Sequence, residues 1–186
     1  MGIGYVRFAR ASTAKISTLL LAALLIVSAG IQGHAATVNI VVFGASNVAG
    51  RGVGSSAAFP AQLEGMLRAK GYDVRVVNAG INRDTSAGML SRLNSAVPDG
   101  TQIAIVQTPT RNDQLRGAQG TTENMGTITS RLRARGIKVI LIQGLILSVL
   151  STHRQADGIH LTEQGHAVVA ARLLPQVISA IGKPRR

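Results

Sequence analysis

Residues 39–54 read "NIVVFGASNVAGRGVG". They begin as an apolar, β-branched run and end in a loop with glycines at 44, 50, 52 and 54. A near-continuous apolar run of this length suits a strand buried on both faces, as in a parallel sheet. The strand stops at Gly44 and leaves Ser46 in the turn that follows. Either Ser46 is a nucleophile lifted clear of the sheet edge, or the loop cradles a phosphate. A dinucleotide-binding fingerprint needs G-x-G-x-x-G and an acidic residue near the end of the next strand. Here the spacing is Gly50-x-Gly52-x-Gly54, and the next strand pattern carries Asn78. A P-loop needs a Lys after its last glycine, and none is near. The nucleophile reading therefore requires a base elsewhere in the chain.

The same apolar pattern recurs as "TVNIVVF" (37–43), "DVRVVNA" (73–79), "TQIAIVQ" (101–107) and "IKVILIQ" (137–143). Helical patterns lie between. "FPAQLEGMLRAKG" (59–71) starts with a tolerated first-turn proline, and puts Phe59, Leu63, Met66 and Leu67 on one face. "DTSAGMLSRLNSAVPDG" (84–100) reads as one helix capped by Asp84 or Thr85 and closed by the turn Pro98-Asp99-Gly100. A third helix runs from about Thr121 to Arg135. The last, "TEQGHAVVAARLLPQVISAIG" (162–182), contains Pro175, read as a kink. Residues 144–156 read as a short connection. Strand and helix alternating four times predict an α/β fold, a parallel sheet with helices on both faces. Ligands in such sheets bind beyond the carboxyl ends of the strands. The unusual polar residues gather there: Ser46, "INRD" (81–84) and "TRND" (110–113).

Composition narrows the function classes. Arg7, Arg10 and Lys15 precede the uncharged run "ISTLLLAALLIVSAGI" (16–31) and "GHA" (33–35). This is a secretory leader pattern, residues 1–35, cut after Ala35, which predicts a periplasmic or secreted protein. The alternative, an uncleaved anchor, needs about 20 apolar residues. Residues 36–182 then form one domain, and 183–186 a basic tail. The formal net charge is +12, and +9 once the three basic leader residues are removed. There is no cysteine, hence no disulfide, thiolate nucleophile or cysteine metal site. Two Tyr, three Phe and no Trp leave few stacking platforms, which argues against nucleic-acid binding.

The base and its orienter are found in "ADGIHLTEQGH" (156–166), with Asp157 and His160 three apart before the last helix. A serine hydroxyl is a poor nucleophile until an imidazole takes its proton. That imidazole must be held in one tautomer by an acceptor on its other nitrogen. Taken singly, Ser46 could cap a turn, Asp157 likewise, and His160 could be a polar residue near a helix start.

Four blocks together resemble the GDSL/SGNH hydrolases over roughly residues 38–181. They are "FGASNVAGRGV", "VVNAGINRDTSAGML", "TRNDQLRG" and "DGIHLTEQGH". The likeness is greatest to the short secreted branch of thioesterase/lysophospholipase enzymes and related arylesterases. The resemblance implies a three-layer flavodoxin-like fold with four to five parallel strands. It implies Ser46 as nucleophile, His160 as general base and acid, and Asp157 as its orienter. The oxyanion hole would use the N–H groups of Ser46 and Arg83 and the side chain of Asn112. No metal or cofactor is implied. The chain departs from the family pattern at Ala45, Arg83, Thr110 and Arg111, where Arg83 and Thr110 replace glycines. A positive φ at Arg83 would be costly with a side chain. The implied substrate is a small ester or thioester. Arg83 and Arg111 either bias it toward an anionic one or face solvent. Three readings stay open: an esterase or thioesterase, a carbohydrate-ester deacetylase, and a catalytically weak relative that binds acyl or glycan ligands. No nucleic acid and at most peripheral membrane contact are expected. The oligomeric state is not set by the sequence.

Overall fold

A computed structural model describes Met1, Gly2 and residues 37–182. The rest of the leader read over 1–35, its cleavage point and the basic tail 183–186 lie outside the described residues. Four strands form one sheet: β1 Val38–Gly44, β2 Val74–Gly80, β3 Ile103–Val106 and β4 Lys138–Leu141. All pair in parallel in the order β2-β1-β3-β4. Gly44 lies beside Gly80, and Phe43 lies beside both Ala79 and Val106. The chain goes from β1 outward to β2, then crosses back to β3. The order therefore reverses at β1 and opens a crevice between the carboxyl ends of β1 and β3.

Alternation along the central strands builds two cores. Ile40, Val42, Ile103 and Ile105 face one layer of helices: α2 (Phe59–Ala69), α7 (Gln143–Leu150) and α8 (Glu163–Ile181). Val41, Phe43, Ala104 and Val106 face the other, made by α3 (Ser86–Ser91), α4 (Leu93–Ala96) and α6 (Thr121–Ala134). Two short helices, α1 (Ser46–Ala49) and α5 (Thr110–Leu115), sit at the carboxyl rim, directly after β1 and shortly after β3. The result is the expected three-layer α/β fold.

The structure corrects three expectations. The stretch 84–97 is two helices, not one, broken at Arg92, whose φ of −101° and ψ of 10° leave the helical region. The supposed connection 144–156 begins with α7, and β4 ends at Leu141 rather than at 143. That segment is apolar on nearly every side, so no helical stripe stands out, although Ile146 and Val149 are the residues it buries. As expected, Pro175 does not end α8, which continues past it to Ile181.

Arg92 breaks its helix because its side chain is anchored elsewhere. Its guanidinium donates to the carbonyls of Ala79 (3.0 Å) and Gly44 (3.1 Å), the ends of β2 and β1, and pairs with Asp84 at 2.7 Å. It also lies 4.5 Å over the Phe43 ring. Replacing Arg92 with Ala would leave the nearly buried Asp84 carboxylate without its counter-charge and take one donor from each of the Ala79 and Gly44 carbonyls. The expected loss is about 3 kcal/mol of unfolding free energy, read by urea denaturation.

His166 on α8 is fully buried. Its Nδ1 accepts the Phe59 backbone N–H at 3.3 Å, its ring stacks on Phe59, and its Nε2 has no partner among the described residues. Burial, with a lesser contribution from His160, lowers its pKa from 6.5 to about 4. Between those values the unfolded chain binds a proton that the native state refuses, so stability falls as pH drops from about 6.5 to about 4. Urea midpoints across that range should show a loss on the order of 2 kcal/mol, and His166→Phe should flatten the slope.

Candidate active site

Ser46 is the first residue of α1, two residues beyond the end of β1. The turn is tight because Gly80 lets backbone approach backbone and Gly44 leaves room for packed side chains. A Cβ at Gly80 would fall on the Ala49 nitrogen, and one at Gly44 would meet the Val48 side chain at 2.6 Å. Gly50, in the left-handed region at φ 77°, ends α1 after one turn. Ser46 is thereby pinned at the mouth of the β1/β3 crevice, 7% exposed.

Asp157 and His160 approach from the turn before α8. The Asp157 Oδ1 accepts the backbone N–H groups of Ile159 (2.9 Å) and His160 (3.0 Å), which curls the chain into a tight loop. Its Oδ2 lies 2.5 Å from His160 Nδ1, and His160 Nε2 lies 2.9 Å from Ser46 Oγ. The carboxylate can only accept from Nδ1–H. The neutral ring then presents its Nε2 lone pair to the serine hydroxyl. The hydrogen bond from His160, aided by the two backbone N–H groups, holds the Asp157 carboxyl well below the usual range. Asp157 therefore stays ionised in mild acid.

The turn is itself held from below. Asn47, 6% exposed, accepts the Leu161 N–H at 2.9 Å and donates to the Ile159 carbonyl at 3.3 Å, bracketing His160. Gln155 donates to the carbonyls of Leu161 (2.7 Å) and Arg51 (2.9 Å), and its own N–H reaches the His160 carbonyl at 2.7 Å.

The remaining expected residues line the same opening. Arg83 has φ 64°, the one non-glycine in the left-handed region among the described residues. The strain foreseen at that position is thus present. Neither the Ser46 N–H nor the Arg83 N–H finds an acceptor among the described residues. Asn112 donates one Nδ2 hydrogen to the Asp84 carbonyl at 2.8 Å, which ties α5 to the Arg83 loop and leaves the other hydrogen free. Ser46, Arg83, Asn112 and His160 share a cavity of about 180 Å³. A second cavity of about 300 Å³ meets it at Ser46 and Asn112 and runs along Ile146, Leu147 and Leu150. Among the described residues no group of three His, Asp or Glu side chains is placed to hold a metal ion.

All five sequence-derived residues are thus at one rim. Asn47, Gln155 and Arg92 were not foreseen. Their signal is weak, since each acts through one or two long-range backbone contacts. Spacing alone would also have offered Glu163 and His166, again three apart, but His166 points into the core and Glu163 is exposed.

No family model matches the chain. It is similar to Esterase TesA of Pseudomonas aeruginosa, 37% identical over 111 residues, which cover 59% of this chain. The match spans 55% of that relative's length. The crystal structure of TesA superimposes with a TM-score of 0.68 at 26% identity, over 76% of this chain and 99% of that one. AlinE4, an SGNH-hydrolase family esterase, gives 0.58 at 26% identity, over 80% and 99%. The psychrotrophic esterase EstA from Pseudoalteromonas sp. gives 0.68 at 16% identity, over 78% and 99%, a likeness of fold. A three-layer parallel sheet with a serine, a histidine and an aspartate at its switch point defines a class of α/β hydrolytic proteins. The chain is similar in fold, and in part of its sequence, to GDSL/SGNH esterases of that class.

Because Asn47 brackets His160 on both sides, Asn47→Ala should let the turn drift from Ser46. A misplacement near 1 Å can cost about 100-fold in rate. Labelling of Ser46 by a fluorophosphonate should slow by about 10- to 100-fold while the protein remains folded by circular dichroism.

Proposed function

We propose that the chain is an exported serine hydrolase that cleaves carboxylic esters or thioesters through an acyl-enzyme. One observation carries this reading: an unbroken hydrogen-bond chain from Ser46 Oγ through His160 to Asp157, at 2.9 Å and 2.5 Å. His160 Nε2 takes the hydroxyl proton as Ser46 Oγ bonds to the acyl carbon, and the carbonyl electron pair moves onto oxygen. That oxyanion rests on the N–H groups of Ser46 and Arg83 and on Asn112 Nδ2–H. Collapse breaks the bond to the alcohol or thiol, which leaves with the proton from His160. Water, deprotonated by the same imidazole, attacks the acyl-serine. Collapse of the second oxyanion returns the proton to Ser46 and releases the carboxylic acid. Asp157, ionised throughout, stabilises the imidazolium formed at each step.

The replacement of glycine by Arg83 leaves the needed N–H in place, because the backbone keeps the left-handed turn. The apolar wall that Ile146, Leu147 and Leu150 give the larger cavity suits an acyl chain, and Arg83 and Arg111 favour an acidic substrate. Export is inferred from the leader pattern of residues 1–35, and a chain without cysteine is at no disadvantage there.

A fluorophosphonate probe should label Ser46, and the label should vanish in Ser46→Ala and fall at least 1,000-fold in His160→Ala. Asn112→Ala should lower kcat on a butyrate ester by about 100- to 1,000-fold. Labelling at another serine, or an Asn112→Ala variant as fast as the parent, would contradict the assignment.

A further inference from the structure

The two cavities at Ser46 differ in chemistry, and His160 tells them apart. Nε2 must protonate the departing group, so the leaving group lies on the His160 side of the acyl carbon. His160 lines the smaller cavity and not the larger. The larger has an apolar wall of Ile146, Leu147 and Leu150 on α7, which fits the acyl chain, and it carries only Arg154 and the shared Arg111 as charges. The smaller is walled by four arginines from three separate segments: Arg51 after α1, Arg83 after β2, and Arg111 and Arg116 on and just after α5. No Asp or Glu lines it.

These charges lack internal partners. Among the described residues Arg68, Arg92 and Arg135 form ion pairs, whereas none of the four does. The two acidic groups nearest in sequence to them are committed: Asp84 to Arg92, and Asp113 to the Ser86 N–H and the Thr121 hydroxyl. Like charges gathered around one opening repel. Arg83 adds backbone strain that a glycine would avoid. The repulsion is relieved if an anion enters.

We propose that the smaller cavity is a subsite for an oxyanion group, a phosphate or carboxylate, carried by the leaving group of the ester. Arg51, Arg83, Arg111 and Arg116 are its specificity-determining residues. This rests on the ester-hydrolase reading and adds to it which half of the substrate carries the charge. The preferred substrate is then an acyl ester or thioester of a phosphorylated or carboxylated alcohol or thiol. The uncharged acyl chain sits against α7.

Three butyrate-sized esters separate the possibilities. They are 4-nitrophenyl butyrate, neutral throughout; 4-butyryloxybenzoate, charged on the leaving group; and 4-nitrophenyl glutarate, charged on the acyl group. In the Arg51→Ala/Arg116→Ala protein, kcat/KM for 4-butyryloxybenzoate should fall at least tenfold relative to 4-nitrophenyl butyrate, chiefly through KM. The parent's preference should shrink between about 20 mM and about 500 mM salt as screening sets in. Arg131→Ala/Arg133→Ala, the same charge change on α6, should leave the ratio as it was. An equal fall on all three esters, or a response confined to the glutarate, would overturn the subsite. Glycerol phosphate titrated calorimetrically should bind the parent protein and lose at least tenfold in affinity in the double variant. Absence of binding to the parent would overturn the proposal. Co-sedimentation with anionic vesicles without any change in ester preference would do the same, the arginines then serving a lipid surface. If no ester is hydrolysed at all, the hydrolase reading fails, and the titration still decides the subsite.

Discussion

Where parallel strands stop, their last carbonyls lose the ladder that satisfied them, and a buried carbonyl without a donor is expensive. In this protein the Gly44 carbonyl still takes the Ile81 N–H at 3.1 Å, and one guanidinium adds a second donor there and another at the Ala79 carbonyl of the neighbouring strand. Arg92 reaches back from the break between α3 and α4 to the carbonyls of Gly44 and Ala79, and holds Asp84 in the same grip. The geometry of the rim follows from that anchor. Ser46 lies two residues past Gly44, and Arg83 lies one before Asp84. The distance between the two N–H groups assigned to the oxyanion is therefore governed by a side chain that touches neither. Asn112 is tied into the same arrangement through the Asp84 carbonyl.

The imidazole comes from the far end of the chain and needs its own restraint. Asp157 curls the turn, Asn47 brackets it and Gln155 closes it underneath. Asn47 is adjacent to Ser46, so the residue that presents the hydroxyl and the residue that positions the base are neighbours on one short helix. Errors in the two placements then move together. His166, one turn into α8, shows the contrasting fate of a histidine. Sealed against Phe59, it is kept neutral by burial and contributes to packing.

Much of this was legible in the residues. The four apolar runs and the helices at 59–69, 121–134 and 163–181 emerged with boundaries close to those observed, because burial on both faces and amphipathic stripes are local patterns. Ser46, Asp157 and His160 could be named because each stands just beyond a strand or before a helix, whereas Arg83 and Asn112 were named through the family resemblance. At Arg83 the resemblance marked a glycine position occupied by a side chain, where a positive φ would be costly, and the structure has φ 64° there. Less legible was α7, since a segment apolar on nearly all sides has no periodicity to read. The break at Arg92 was hidden too, because its cause lies 48 residues away at Gly44.

The sequence by itself determined the layer order, the parallel sheet and the list of side chains able to do acyl-transfer chemistry, since these depend on hydrophobic period and residue type. Only the tertiary structure showed why His160, already named from the sequence, meets the serine and His166 does not. Two pairs with the same spacing, Asp157/His160 and Glu163/His166, are separated by a turn in one case and a helix in the other. Tertiary structure also decided that four arginines from three segments converge on one cavity beside His160. Convergence of that kind is a property of loop paths at the sheet's carboxyl edge. Loop paths are fixed by long-range hydrogen bonds such as those of Arg92, Asn47 and Gln155, which leave no periodic trace in the chain.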